Sequence, residues 1–204
     1  MKMKNIIEYI TRKYHPLSLI LYGSYANGTN TTNSDFDALV ISSKHERFHD
    51  TSVVDGVALD VFVYPATYFE GEYSCDEFLP IADGKILTDI EGRGKALQAR
   101  VFSYLENLPN KTTEEIRANL DWCVKMVKRA KTADPEGLFR HHWLLIDSLE
   151  IFCDTQSHAY LGPKKTLQWM EEAHPEAFAH YASALKDFTT ESLVNWIQYL
   201  QNTH

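Results

Sequence analysis

The sequence predicts an α+β chain, with a mixed-sheet half with helices over residues 1–108 and an α-helical bundle over residues 109–204. Three observations predict it. Short apolar runs bounded by Gly, Pro, Asn and Asp recur through the first 90 residues, as half-buried or buried strands require. From Glu91 onward apolar residues return every three or four positions, the helical period. Cap signals then punctuate the second half at Thr112, Asp134-Pro135, Gly162-Pro163 and His174-Pro175.

Taken in order, Met3, Ile6, Ile7, Ile10 and Tyr14 lie on one face of a first amphipathic helix, with lysines and an arginine between them. His15-Pro16 breaks it, and Leu17 to Tyr22 reads as a buried strand. Gly23-Ser24 and a polar loop from Asn27 to Asn33 lead to a second strand over Asp35 to Ile41. Thr51–Val54 and Val57–Val63 flank Asp55-Gly56, a strong hairpin signal, and Pro65 closes the second run. Lys85 to Thr88 is expected as a short edge strand.

In the second half, Thr112-Thr113-Glu114-Glu115 has capping-box spacing and opens a helix with Leu120, Cys123, Val124 and Val127 on one face. Asp134 caps the next, which carries Leu138, Leu145, Leu149 and Phe152. Leu193, Trp196, Ile197 and Leu200 stripe the last. These stripes are expected to be core.

Composition excludes several classes. Of 204 residues, 44% are hydrophobic and 24% charged, an ordinary globular mixture. No apolar run reaches the roughly 18 residues that span a bilayer. Cys75, Cys123 and Cys153 are odd in number and far apart, which fits a reducing cytoplasm better than a disulfide framework. The first residues do not read as a signal peptide, so a cytoplasmic location is expected. A net charge of −8 argues against general nucleic-acid binding, which needs a basic surface, and favours a small or cationic partner.

The chemistry concentrates in two places. Asp35 and Asp37 are two apart in an apolar run, so a strand would set them on one face, roughly 6–7 Å apart. Like charges so placed call for a cation, and hard oxygen ligands suit magnesium. Asp60 sits opposite to Val57, Leu59, Val61 and Val63 on the third run, and joins the pair if the strands are neighbours. Three such carboxylates suit two ions in phosphoryl transfer. Gly23 and Ser24, at the end of a buried strand, offer backbone N–H groups and a hydroxyl to an anion.

Strand, Gly-Ser, a spacer from Tyr25 to Ser34, Asp-x-Asp and a later strand Asp follow one another in a specific order. That order resembles the DNA polymerase β-like nucleotidyltransferase superfamily over residues 17–64, in its small bacterial form with a C-terminal helical domain, as in antibiotic and minimal nucleotidyltransferases. The resemblance implies that Gly23 and Ser24 hold the triphosphate of a nucleoside triphosphate, and that Asp35, Asp37 and Asp60 are catalytic and bind two Mg²⁺ ions. It further implies transfer of a nucleoside monophosphate, AMP from ATP, to a small-molecule hydroxyl. In antibiotic-modifying relatives a helical-domain carboxylate deprotonates the acceptor, for which Glu150 and Asp147 are the candidates here. Many relatives carry a basic residue where this chain has Asn27, and Lys85, Arg93 and Lys95 are candidate substitutes. Two other functions stay open: a protein-modifying, antitoxin-type nucleotidyltransferase and a non-catalytic nucleotide-binding module.

Overall fold

Alternating side chains give the sheet two chemically different faces. In the computed structural model, which describes residues 2–132 and 134–203, the strands are β1 (Pro16–Leu21), β2 (Phe36–Ser42), β3 (Phe48–Asp50), β4 (Val53–Val54), β5 (Val57–Pro65) and β6 (Lys85–Asp89). They lie in the order β3-β5-β2-β1-β6, with β4 paired to β5. β2 and β5 run parallel and the other neighbours antiparallel. Helices α1 (Lys2–Tyr14), α2 (Gly23–Asn27) and α3 (Arg93–Glu106), with 3-10 turns at Ala66–Glu70 and Cys75–Ile81, complete this unit. It ends at Asn107, and a second unit begins at Leu108.

One sheet face packs Leu19, Leu21, Phe36, Ala38, Val40 and Val61 against Ile6, Ile10 and Tyr14 of α1. Full burial of each Leu, Ile, Val or Phe side chain there stabilises by about 1.5–3 kcal/mol. The opposite face packs Ile20, Leu39, Ile41 and Tyr64 against the second 3-10 turn and α3, through Phe78, Ile81, Leu97 and Val101. Of the expected α1 face, Ile6, Ile10 and Tyr14 are buried, whereas Met3 is exposed; Met1 lies outside the described residues.

The Asp55-Gly56 hairpin forms with φ of 52° and 74°, the two positive values that a tight twisted turn requires. Two differences from the sequence reading bear on the site. β2 begins at Phe36, so Asp35 precedes the strand. β3, only three residues long, was not foreseen, because two polar neighbourhoods hide so short a run.

A buried carboxylate ties β3 to α1. Asp50 is 4% exposed and accepts from Tyr14 Oη and from the side chain and, at 2.9 Å, the backbone N–H of Ser52. Lys13 Nζ adds a bond of 3.2 Å. Burial by itself would raise the Asp50 pKa, but these donors outweigh it and bring it down to about 2.

The second unit holds α4 (Thr113–Ala130), α5 (Pro135–Thr155), α6 (Pro163–Ala173), α7 (Pro175–Asp187) and α8 (Thr190–Asn202). Thr112 and Glu115 form the expected capping box, and Asp134 Oδ1 accepts from Gly137 N at 2.8 Å. The core gathers Leu120, Cys123, Leu145, Leu149, Phe152, Leu193 and Trp196. Trp196 keeps its indole N–H satisfied by donating to Ser148 Oγ at 2.9 Å. All three cysteines are buried free thiols. Among the described residues no helix is long and apolar enough to cross a membrane.

Because the folded-state pKa of Asp50 is depressed, its contribution is present above pH 4 and lost as the pH falls toward 2. Asp50→Asn is expected to remove on the order of 2 kcal/mol at pH 7 and to flatten that acid limb, as urea unfolding from pH 2.5 to 7 would show. An unchanged acid limb would refute the assignment.

Candidate active site

Parallel register decides which carboxylates meet. Asp37 of β2 pairs directly with Asp60 of β5, so both side chains leave the same face of adjacent strands, within reach of one another. Tyr22 lies opposite Asp37 from the β1 side, its N–H donating to Asp37 O at 3.1 Å. A row therefore crosses the sheet as Tyr22, Asp37, Asp60. The next row down the same face is Ile20, Leu39, Phe62 and His49, set by the β1–β2, β2–β5 and β3–β5 registers.

The row is electrostatically strained. Burial first, then the charges of Asp60 and Asp35, push the Asp37 carboxyl up to about 6. Burial first, then the charges of Asp60 and Asp37, raise the Tyr22 phenol. His49 Nε2 lies 2.5 Å from Asp60 Oδ1, and its ring stacks on Phe62 with centroids 4.2 Å apart. The imidazole thereby holds Asp60 in one orientation from the β3 side.

Above Asp37 the backbone comes unusually close. Gly23 has φ of 65°, and a Cβ placed there would lie 2.2 Å from Asp37 Oδ2. Only glycine satisfies both the left-handed backbone and this approach. Ser24 follows in the first turn of α2, buried beside it. Gly28 ends α2 at φ 74°, its N–H donating to Ser24 O, and turns the chain toward β2.

The sequence-predicted residues thus separate into groups. Gly23, Asp37 and Asp60 stand together, and Ser24 is the buried residue next to Gly23. Asp35 is exposed just before β2 and acts on Asp37 through its charge. Glu150 and Asp147 both line a cleft of about 450 Å³ in the helical unit, with Lys111, Asn119, Trp122 and Trp143. Lys111 there is held by Asp154 at 2.7 Å, which raises its pKa, with a smaller contribution from Glu150. Of the basic residues weighed for phosphate, Arg93 is engaged with Glu91 at 3.0 Å and Glu70 at 3.6 Å. His141 is buried and His142 exposed, so the adjacent pair faces two ways. Sequence reasoning missed His49, and no local signal marks it; only the β3–β5 pairing brings it to Asp60.

The donor set near Asp37 fits a hard divalent cation. The neighbouring carboxylates that add to burial in raising the Asp37 pKa also attract a cation, and Gly23 keeps the approach open. Among the described residues no cluster of three or more His, Cys, Asp or Glu side chains is positioned to hold a metal. Substrate phosphate and water would complete the shell, as magnesium ordinarily requires.

A mixed sheet thus carries paired aspartates on adjacent strands, with Gly23 packed against one of them. Residues 3–108 match the model of the nucleotidyltransferase domain, and the chain belongs to that family of enzymes. The chain is also 23% identical over 144 residues to caffeine-induced protein 16 of Schizosaccharomyces pombe, a match covering 61% of this chain and 12% of that protein. This chain therefore spans a small fraction of that relative's length. Among solved structures, a nucleotidyltransferase-like protein from Exiguobacterium sibiricum aligns over 98% of this chain and 73% of its own, at 11% identity and a TM-score of 0.37. A toxin–antitoxin solved with AMP-PNP aligns over 59% of this chain and 97% of its own, at 19% identity and a TM-score of 0.35.

Two outcomes follow from this geometry. With a raised folded-state pKa, Asp37 stabilises the metal-free protein below pH 4 and loses that contribution as the pH rises through about 6. Asp37→Asn is therefore expected to raise the melting temperature at pH 7.5 and to leave it unchanged at pH 3.5; equal effects at both would contradict the assignment. Gly23→Ala should cost about 1–2 kcal/mol from its left-handed backbone alone and displace the Asp37 carboxylate. Chemical denaturation and the NMR shift of Asp37 would report both, and an unmoved carboxylate signal would exclude the close approach.

Proposed function

We propose that this nucleotidyltransferase transfers AMP from ATP to a hydroxyl of a small-molecule acceptor, with Mg²⁺ bound at the aspartates. One observation carries the reading: Asp37 and Asp60 stand side by side beneath Gly23 and Ser24. In this reading the backbone N–H groups and hydroxyl at Gly23-Ser24 bind the β- and γ-phosphates, on the β1 side of Asp37.

Asp37 and Asp60, with Asp35 alongside, would hold the metal; when bound, it neutralises phosphate charge and makes the acceptor hydroxyl more acidic. In-line displacement requires the acceptor to enter opposite the leaving pyrophosphate, hence from the Asp60 side. There Asp60 accepts the hydroxyl proton, and His49, bonded to Oδ1, keeps the carboxylate aimed. The acceptor oxygen bonds to the α-phosphorus as the bond to pyrophosphate breaks. Glu150 and Asp147, which line a cleft within the helical unit, are the candidate acceptor-recognition carboxylates of that unit. The net charge of −8 supports a small or cationic acceptor over a polyanion.

Calorimetry with a non-hydrolysable ATP analogue should show binding that needs Mg²⁺ and is lost in Asp35→Asn/Asp37→Asn. Asp60→Asn should bind the analogue yet lose roughly 10³-fold or more in label transfer from ATP to hydroxyl compounds. Absence of analogue binding, or a fully active Asp60→Asn enzyme, would overturn the reading, and label appearing on protein alone would overturn the small-molecule acceptor.

A further inference from the structure

The carboxylate row is the top of a longer feature. On the same sheet face, two rows further along the strands, Leu39 and Phe62 and then Tyr64 form the floor of a slot of about 330 Å³, with Tyr22 at its upper end. Rows on one face are spaced roughly 6–7 Å apart, so the slot extends some 7–13 Å from the aspartates. Its walls are aromatic and apolar. Its far rim is a charged pair, Arg47 and Glu77, joined at 2.9 Å.

That rim is built rather than incidental. The Arg47 guanidinium lies 5.0 Å from the centre of the Tyr64 ring and 5.5 Å from that of Tyr68. Tyr64 Oη and Tyr68 Oη both approach Glu77 Oε2 at 3.4 Å, where Arg47 also binds. All three contacts fall on Oε2, so Oε1 remains to accept from a ligand. Arg47 has further N–H groups in a planar fork. The pair therefore presents donors beside an acceptor at the end of a flat aromatic slot.

We propose that this slot is the nucleobase subsite of the enzyme: a base hung from the α-phosphate by its ribose lies over Leu39 and Phe62, and its polar edge is read by Arg47 and Glu77. The inference rests on the nucleotidyltransferase reading above and adds to it the part of the chain that recognises the nucleoside. Three features favour a nucleobase over other occupants. The slot adjoins the phosphate-handling row on one continuous face, so one molecule can occupy both. Its distance from that row matches a nucleoside's reach. A nucleobase edge sets an N–H beside an acceptor atom, the complement of a carboxylate beside a guanidinium. Apolar walls with a few placed polar groups are the usual make-up of such pockets.

The test compares two anions that share the phosphates and differ in the base, a non-hydrolysable ATP analogue and inorganic tripolyphosphate, by calorimetry with Mg²⁺. Arg47→Lys keeps the charge and removes the planar fork. Glu77→Ala removes a negative charge, which by electrostatics alone would tighten both anions. Both positions are solvent-accessible, with 53% and 40% of the side chains exposed, and thermal melts confirm folding. The expected result is a loss of about tenfold or more for the ATP analogue in each variant, with tripolyphosphate unchanged or tighter. Four results would overturn the proposal: wild type binding both anions equally, both anions weakened alike, neither affected, or ATP affinity intact with a raised KM for the acceptor, which would make the slot an acceptor site. If wild type binds neither anion, the nucleotidyltransferase reading itself fails, and that outcome is distinct from the other four.

Discussion

Two carboxylates on adjacent parallel strands, with no covalent or chain-local reason to be near one another, create the tension around which the first unit is organised. Asp37 and Asp60 share a register position, and burial first, then repulsion between the two, raises the proton affinity of Asp37. A fold keeps such a pair only if the surrounding packing outweighs the repulsion. Here that packing is the opposite face, where Phe36, Ala38, Leu59 and Val61 are buried against α1 and α2. Because side chains alternate along a strand, the residues that secure β2 and β5 are also those that force their aspartates outward.

The immediate neighbours of the pair each answer a different requirement. Gly23 removes the bulk that would collide with Asp37. His49 fixes the orientation of Asp60 and is itself held by stacking on Phe62. Asp50, one residue on, anchors β3 to Tyr14 and Lys13 of α1. A buried hydrogen-bond network on one face of the sheet thus positions an exposed imidazole on the other.

The helical unit follows a simpler logic. Leucine and aromatic stripes from α4, α5 and α8 close around Trp196, whose indole nitrogen is satisfied by Ser148. The outer surface of α4 and α5 then presents Trp122, Trp143, Asp147 and Glu150 along one cleft. The tryptophan rings meet edge to face at 5.8 Å. Asp147 and Glu150 are three residues apart on one helix, so their common side follows from helical geometry alone.

Much of this was legible in the chain because the deciding signals are local. Alternation in Val57–Val63 assigned Asp60 to the face opposite Val57, Leu59, Val61 and Val63; Asp55-Gly56 announced its turn; Thr112 and Asp134 announced their helices. The Gly-Ser and Asp-x-Asp order pointed to the family that residues 3–108 match. Asp35 was drawn into β2 because its spacing from Asp37 is that of a strand face, whereas the pairing stops at Phe36. His49, Arg47 and Glu77 carried no signal, since each owes its place to a partner far along the chain: Asp60, Tyr64, and a 3-10 turn folded back over the sheet. The sequence by itself determined which residues alternate, cap and turn, and so the two-part architecture and the strand faces on which Asp37 and Asp60 lie. Tertiary structure alone decided that β5 lies parallel beside β2 with Asp60 level with Asp37, because strand register is a choice among long-range pairings that no local pattern encodes.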